Sequence, residues 1–381
     1  MLDTSDIDRW VGVPIGGADL ADPIHKNDIR RWAQGMQNPN PAYFDDDYAK
    51  QGRFGKIVAP QSFMVCTSDS HGAAPSIQGR IEGSHMLFGG DEWWFSGPRL
   101  APGDRVRQQR VLAGYDVKET KFAGPTVFSH GETTYIDADG RTLARQRCTS
   151  IRYLVAEAKQ RGYWADKSPA EPTWTDAEIA AFERKKLDYF RTFRELGHAR
   201  RAGVTVGQKL PQRPIGPHTL LTFATEYRSF IMSVWGAFRP DGLPNSLRQA
   251  GWLPEMDKNM ELAKLDPAEA DGLYKGSSRG HVQPENAQRI GLPRGYGYGA
   301  SMGAWVLDYV SNWAGEWGEI EHAKIALRAP VFTGDVTFLD GEVTDVDAGT
   351  EPLAHVSLTM TNQSGATIAS ATAEVRLPSE A

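Results

Sequence analysis

The apolar positions of this chain follow three rhythms. Between Met302 and Val310 they are nearly continuous, and Asp308 is the only charge. An exposed helix would show a polar face, so this run predicts a helix buried on most sides. Gly297 and Gly299 stand where it begins and Gly315 where it ends, as a left-handed C-terminal cap requires. Pro60 to Thr67 is a shorter apolar counterpart, with a proline suited to a first helical position. Upstream, Asn27 to Gly35 predicts a short helix capped by Asn27. A second short helix begins at Asp45 and breaks at Gly52 and Gly55.

The second rhythm is alternation. From His85 onward the pattern predicts strands, with a hairpin at Asp139-Gly140. The same order returns later. Arg328-Ala329-Pro330 through Gly334-Asp335 answers Gly97-Pro98 through Gly103-Asp104, and Ser364-Gly365 answers Asp139-Gly140. A repeated order of elements predicts a duplicated α+β unit. The third rhythm lies between the copies. Thr175 and Glu178 form a capping box, Gly197 closes the helix, and Ile179, Phe182, Phe190 and Phe193 share one side. The expected organisation is a first unit over 1–155, a helical connector over 156–213 and a second unit over 214–381. The second unit opens with a helix-like stretch from His218. It then carries an insertion over 237–280, with a short helix at Met256 to Leu265, of the length often used as a lid.

Composition narrows the function without naming it. At 381 residues the chain exceeds one ordinary core, and 40% hydrophobic with 24% charged residues is ordinary for a soluble globular protein. A net charge of −6 argues against a nucleic-acid binder and a polybasic membrane binder. No run is apolar enough to span a bilayer, and the polar N-terminus is not a secretory signal, so a cytoplasmic protein is expected. Cys66 and Cys148 read as two reduced, buried thiols.

The candidate chemistry gathers around Arg279 to Gly315. His281 lies upstream of the glycine-marked helix start, whose free N–H groups favour developing negative charge. The sequence GYGYG fails the dinucleotide-binding spacing, because Met302 occupies the third glycine position. There is no Cys/His cluster of metal spacing and no G-x-S-x-G elbow, so no metal and no cofactor are expected. His85, His130 and His355 lie in strand-like stretches and read as packed or surface histidines. Trp93, Trp94, Trp305, Trp313 and Trp317 could line an apolar acyl pocket, with core packing the expected role for most of them. A solvated helix face is the default for Glu226.

Taken together, NPAYFDDDYA, the two P-G-D and T-G-D turns and RAPVFTGD resemble the MaoC-like hydratase/dehydratase family of double-hotdog proteins. The resemblance covers most of both halves and is weakest across Ala237 to Gly280. It implies two tandem hotdog folds, each a long central helix wrapped by an antiparallel sheet, acting on an acyl-CoA thioester. The family's Asp and His activate a water that adds to the β-carbon of a trans-2-enoyl thioester. A backbone N–H at the start of the central helix holds the enolate oxygen. In the first half Asn40-Pro41 matches the family pattern, but Asn38 stands for its Asp and Tyr43 for its His. That half is expected to be non-catalytic and to shape the acyl tunnel. In the second half, counting back from Ala287 places His281 on the catalytic histidine and Gly299 on the oxyanion glycine. Gly276 falls where the Asp belongs, and Ser278-Arg279 replaces Asn-Pro. A displaced acid is expected from the insertion, with Asp257, Asp266 and Asp271 as candidates and Asp271 chosen. Tyr43, Tyr298 and Trp252 are the expected substrate contacts, and Trp252 suggests a bulky aromatic or polycyclic acyl group. Two other readings stay open: a thioesterase of the same fold, and a non-catalytic acyl-CoA-binding or partner subunit. The resemblance also implies a homodimer and neither a nucleic-acid nor a membrane partner.

Overall fold

The computed structural model describes residues 2–16, 22–68, 72–164, 170–201, 203–230, 279–347 and 349–378. In the first half, strand β1 (Pro14–Ile15) and helix α1 (Lys26–Gly35) precede a 3-10 turn at Pro41–Tyr43 and helix α2 (Asp46–Gln51). A second 3-10 segment, Gln61–Thr67, leads to strands β2 (Ser84–Phe95), β3 (Arg107–Thr120), β4 (Gly124–Ile136) and β5 (Thr142–Leu154). Helix α3 (Asp176–Leu196) connects the halves. The second half runs through β6 (Lys209–Ile215), α4 (Leu220–Ser229), a 3-10 turn at Arg279–His281, α5 (Pro284–Arg289) and α6 (Gly299–Ala314). It closes with β7 (Glu319–Leu327), β8 (Thr337–Asp347), β9 (Leu353–Asn362) and β10 (Thr367–Arg376).

The ten strands of the described residues form one antiparallel sheet in the order β1-β3-β4-β5-β2-β7-β10-β9-β8-β6. The join is β2 against β7, with Gly90 opposite Ala326 and Trp94 opposite His322. Each half thus repeats one order outward from the join, which is the duplication expected from the sequence. Strand β6 straddles the expected 213/214 boundary and pairs with β8 of the second half.

The loops repeat as closely as the strands. Ala59 N–H donates to Leu100 O at 2.7 Å, and Gly297 N–H donates to Val331 O at 2.8 Å. Ile24 N–H reaches Asp104 O at 2.9 Å, and His218 N–H reaches Asp335 O at 2.8 Å. Asp104 accepts from Ala101 N–H and Asp335 from Phe332 N–H, so each P-G-D or T-G-D aspartate closes its own turn. Helices α1 and α4 start at equivalent residues, His25 and Thr219. The cap of α1 is therefore His25 rather than the expected Asn27. Asp28 accepts the His25 N–H in its capping box, which draws the start two residues upstream.

The largest departure from expectation is the central helix of the first half. Gln61–Thr67 is a seven-residue 3-10 segment, whereas α6 runs for sixteen residues of regular α-helix. Every α6 residue from Ala300 to Ala314 is buried. Helix α6 packs on β7, β2 and β10, and the first-half segment lies against it. Trp305, Tyr309 and Trp313 anchor it in the main core.

A helix enclosed this way must find partners for its polar side chains inside the protein. The first half supplies partners for two of them, and β6 adds a third tie. Ser62 Oγ donates to Asp308 Oδ1 at 2.5 Å, and Asn312 Nδ2 donates to Asn38 Oδ1 at 3.2 Å. Arg213, 1% exposed, donates to Trp305 O, Met36 O and Gln37 O and ties loop, strand and helix together. Burial raises the Asp308 carboxyl, and the charge of Arg213 and the Ser62 hydroxyl pull it back. Replacing Arg213 by Leu removes three donors and the charge opposing Asp308. The expected loss is ~3–5 kcal/mol of unfolding free energy in urea titration, partly restored by adding Asp308→Asn.

Candidate active site

The site is assembled by the glycine-rich loop that feeds α6. Gly297 is held by Val331 O, and Thr333 N–H donates to Gly295 O at 2.9 Å. Arg294 is buried against this turn, with Nε on Thr333 O at 2.9 Å and Nη2 on Asp335 Oδ1 at 3.3 Å. The RAPVFTGD turn is thus the clamp that sets the loop, and through it the first turn of α6. Gly299 has a packing reason as well: a Cβ there would stand 2.4 Å from Phe88 Cβ of β2. Gly315 ends the helix with a φ of 74°.

His281 meets this loop directly. Its Nδ1 lies 2.8 Å from the carbonyl oxygen of Tyr296. A carbonyl only accepts, so Nδ1 carries the proton and, in the neutral ring, Nε2 holds the lone pair. The ring stacks on Tyr298 at a centroid distance of 3.9 Å and 29°, and lies 4.2 Å from the Tyr296 ring. Tyr298 is the N-cap residue of α6 and gives it no side-chain cap, so the imidazole sits against the residue bonded to Gly299. The structure therefore brings three sequence-designated residues together: His281, Tyr298 and Gly299.

Tyr43 is elsewhere. It is 5% exposed beside Arg99, near Ser311 and Glu316, toward the opposite end of α6. At 1.5 Å per residue, Ser311 lies roughly 18 Å along the axis from Gly299. Burial pushes the Tyr43 phenol far above its ordinary range, and the Arg99 charge only moderates this. Asn40 caps its own turn by accepting from Ala42 N–H, and its Nδ2 donates to Asn312. The first-half counterpart of the site is thus tied up in structural hydrogen bonds. A cavity of about 280 Å³ also opens at this far end, between Tyr189, Phe193, Arg201, Tyr309 and Trp313. It lies at the other end of α6 from His281. Asp257, Asp266, Asp271 and Trp252 lie outside the described residues. Among the described residues no group of three His, Cys, Asp or Glu side chains is placed to hold a metal, and no helix is long and apolar enough to cross a membrane.

One residue at the helix mouth was not expected from the sequence. Glu226 of α4 is 0% exposed, where a solvated face was the default. Neither carboxyl oxygen has a hydrogen-bond partner among the described residues. The hydroxyl of Ser301, in the first turn of α6, is its polar neighbour without reaching full hydrogen-bond geometry, and it offsets little of the burial. Burial pushes the carboxyl up to about 8. Its neighbour Tyr227 stacks on Tyr298 at 5.7 Å. Helical periodicity alone could have shown that Glu226 shares a face with Phe223, which is fully buried. It could not show what covers that face.

Comparison with known proteins gives concordant results. Residues 9–146 match the profile of the FAS1-like, dehydratase domain region. A protein of Thermomonospora curvata, titled "Probable enoyl-CoA hydratase alpha subunit", is 26% identical over 168 residues. That match covers 40% of this chain and 53% of the relative, about half its length. A solved MaoC-like dehydratase superposes with a TM-score of 0.60 at 16% identity, covering 97% of this chain and 99% of its own. A MaoC-like dehydratase from Phytophthora capsici gives 0.51 at 11% identity, covering 98% and 99%. At such identities the solved structures establish the fold, the double hotdog.

The ionisation of Glu226 has a measurable consequence. Its folded value of about 8 lies above the ordinary 4.5, so the unfolded chain releases this proton first as pH rises. Between those limits the folded state loses up to about 1.4 kcal/mol per pH unit through this group. Glu226→Gln removes that loss. Chemical denaturation should show the variant gaining stability over the parent at pH 8, with the gain shrinking toward pH 5. An equal difference at both pH values would mean that the carboxyl is not held neutral.

Proposed function

We propose that the chain is a MaoC-like dehydratase that adds water to a trans-2-enoyl-CoA thioester, or removes water from a 3-hydroxyacyl-CoA; the dehydratase-region match over residues 9–146 and the double-hotdog fold support this reading. The observation that carries this reading is the orientation of His281. Its Nδ1–H is committed to Tyr296 O, so Nε2 is the nitrogen able to take a proton. The ring is fixed against the mouth of α6 by Tyr298.

In the hydration direction, Nε2 takes a proton from water as the oxygen attacks the β-carbon. The electron pair of the double bond moves through the α-carbon onto the thioester oxygen. The N-terminus of α6 receives that charge, with the Gly299 amide as its donor. The amide belongs to a helix buried along its length and clamped at its start, so it does not need to reorganise as charge develops. That fixed placement is what makes such a donor effective. The second half does the chemistry. The first half holds α6, and it offers Tyr43 and Asn38 where a proton carrier and its acid would stand.

His281→Ala is the direct test. Hydration of a trans-2-enoyl-CoA, followed by loss of the enoyl absorbance, should fall by ~10²–10⁴-fold. A loss of less than about tenfold would reject His281 as the base. A thiol-reactive dye in the same assay should stay silent, and release of free CoA thiol would replace hydration with thioester hydrolysis.

A further inference from the structure

Hydration needs a second proton event. Once water has added at the β-carbon, the enolate must take a proton at the α-carbon, and dehydration must remove it. Gly276 stands where a partner acid for His281 is expected. Among the described residues a different element brings a carboxyl to the same mouth. Glu226 is fully buried on α4, next to Ser301. Ser301 lies two residues beyond Gly299, about 3 Å further along the axis. The adjoining Tyr227 stacks on Tyr298, the ring that also carries His281. Base, oxyanion donor and carboxyl thus converge on one turn of α6.

The duplication shows that packing does not demand an acid there. Helices α1 and α4 begin at equivalent caps, His25 and Thr219. Seven residues on, the first half carries Trp32 where the second carries Glu226. Trp32 is 0% exposed, and its Nε1 donates to Ser62 Oγ at 3.0 Å, which closes the start of the first-half segment. The same backbone position therefore accepts a large apolar ring in the half that lacks the histidine. In the half that has it, the position holds a carboxyl with no hydrogen-bond partner among the described residues, an arrangement that costs stability.

We propose that Glu226 is the acid that protonates the α-carbon in hydration and takes that proton in dehydration. This rests on the hydratase reading above. The water oxygen bonds to the β-carbon while one water proton goes to His281 Nε2, and the double-bond pair becomes the enolate held at Gly299. The enolate pair then forms the new α-carbon–hydrogen bond with the proton of the Glu226 carboxyl. The proton on His281 is released and one is regained by the Glu226 carboxylate, so the net change is one water added.

The test uses the full chain with a trans-2-enoyl-CoA. Glu226→Gln keeps shape and polarity but has no proton to give. Its turnover should fall by at least about 100-fold, with KM within about threefold and thermal stability no lower than the parent. Glu226→Ala should regain turnover on addition of formate, which a purely structural role would not allow. Turnover of Glu226→Gln within tenfold of the parent, with His281→Ala inactive, would overturn the proposal and leave the hydratase reading standing. Loss in Asp271→Asn but not in Glu226→Gln would do the same and move the acid to Asp271. A fall explained by lowered stability, or one that formate does not reverse, would make Glu226 structural. If His281→Ala also turned over normally, or the parent did not hydrate enoyl thioesters, the hydratase reading itself would fall.

Discussion

Enclosing α6 on all sides is the constraint from which the rest of the structure follows. A sixteen-residue helix with no solvated face leaves its polar residues dependent on the protein around it. Asp308 depends on Ser62 and on the charge of Arg213, and Asn312 depends on Asn38 and Asn40. Most of these partners belong to the first half. One hotdog unit therefore could not present this helix alone. The continuous sheet through β2 and β7 is the covalent economy of putting both units in one chain. The same enclosure gives the helix a rigid mouth, because the loop before it is clamped by Arg294, Asp335 and the turn they share.

The two halves show one scaffold with two uses. Backbone hydrogen bonds recur pair by pair, and eighteen residues separate both Tyr43 from Gln61 and His281 from Gly299. The side chains at the matched positions differ in what they can do with a proton. Tyr43 is buried beside Arg99 and holds its proton far past neutrality, and Trp32 only donates. At the equivalent places, His281 has its tautomer set by Tyr296 O, and Glu226 holds a carboxyl kept neutral by burial. Between α4 and the histidine loop the second half has forty-four more residues than the first, so the divergence falls where the site is built.

Much of this was written in the chain. The apolar run of α6, its bounding glycines, the Thr175–Glu178 box and the Asp139-Gly140 hairpin depend on contacts within a few residues, and local sequence determines such contacts. The duplicated order of strands and turns, and His281 before a glycine-marked helix start, were legible for the same reason. Tertiary structure decided what depends on residues far apart in sequence. Gln61–Thr67 is a short 3-10 segment packed against α6, an element from the other half. Gly299 answers to Phe88, more than two hundred residues away. Tyr43 and His281, equivalent in sequence, sit toward opposite ends of one helix. Glu226 changes from an ordinary surface glutamate into a buried acid because α6 packs over its face, and burial by a distant element leaves no mark on the local pattern.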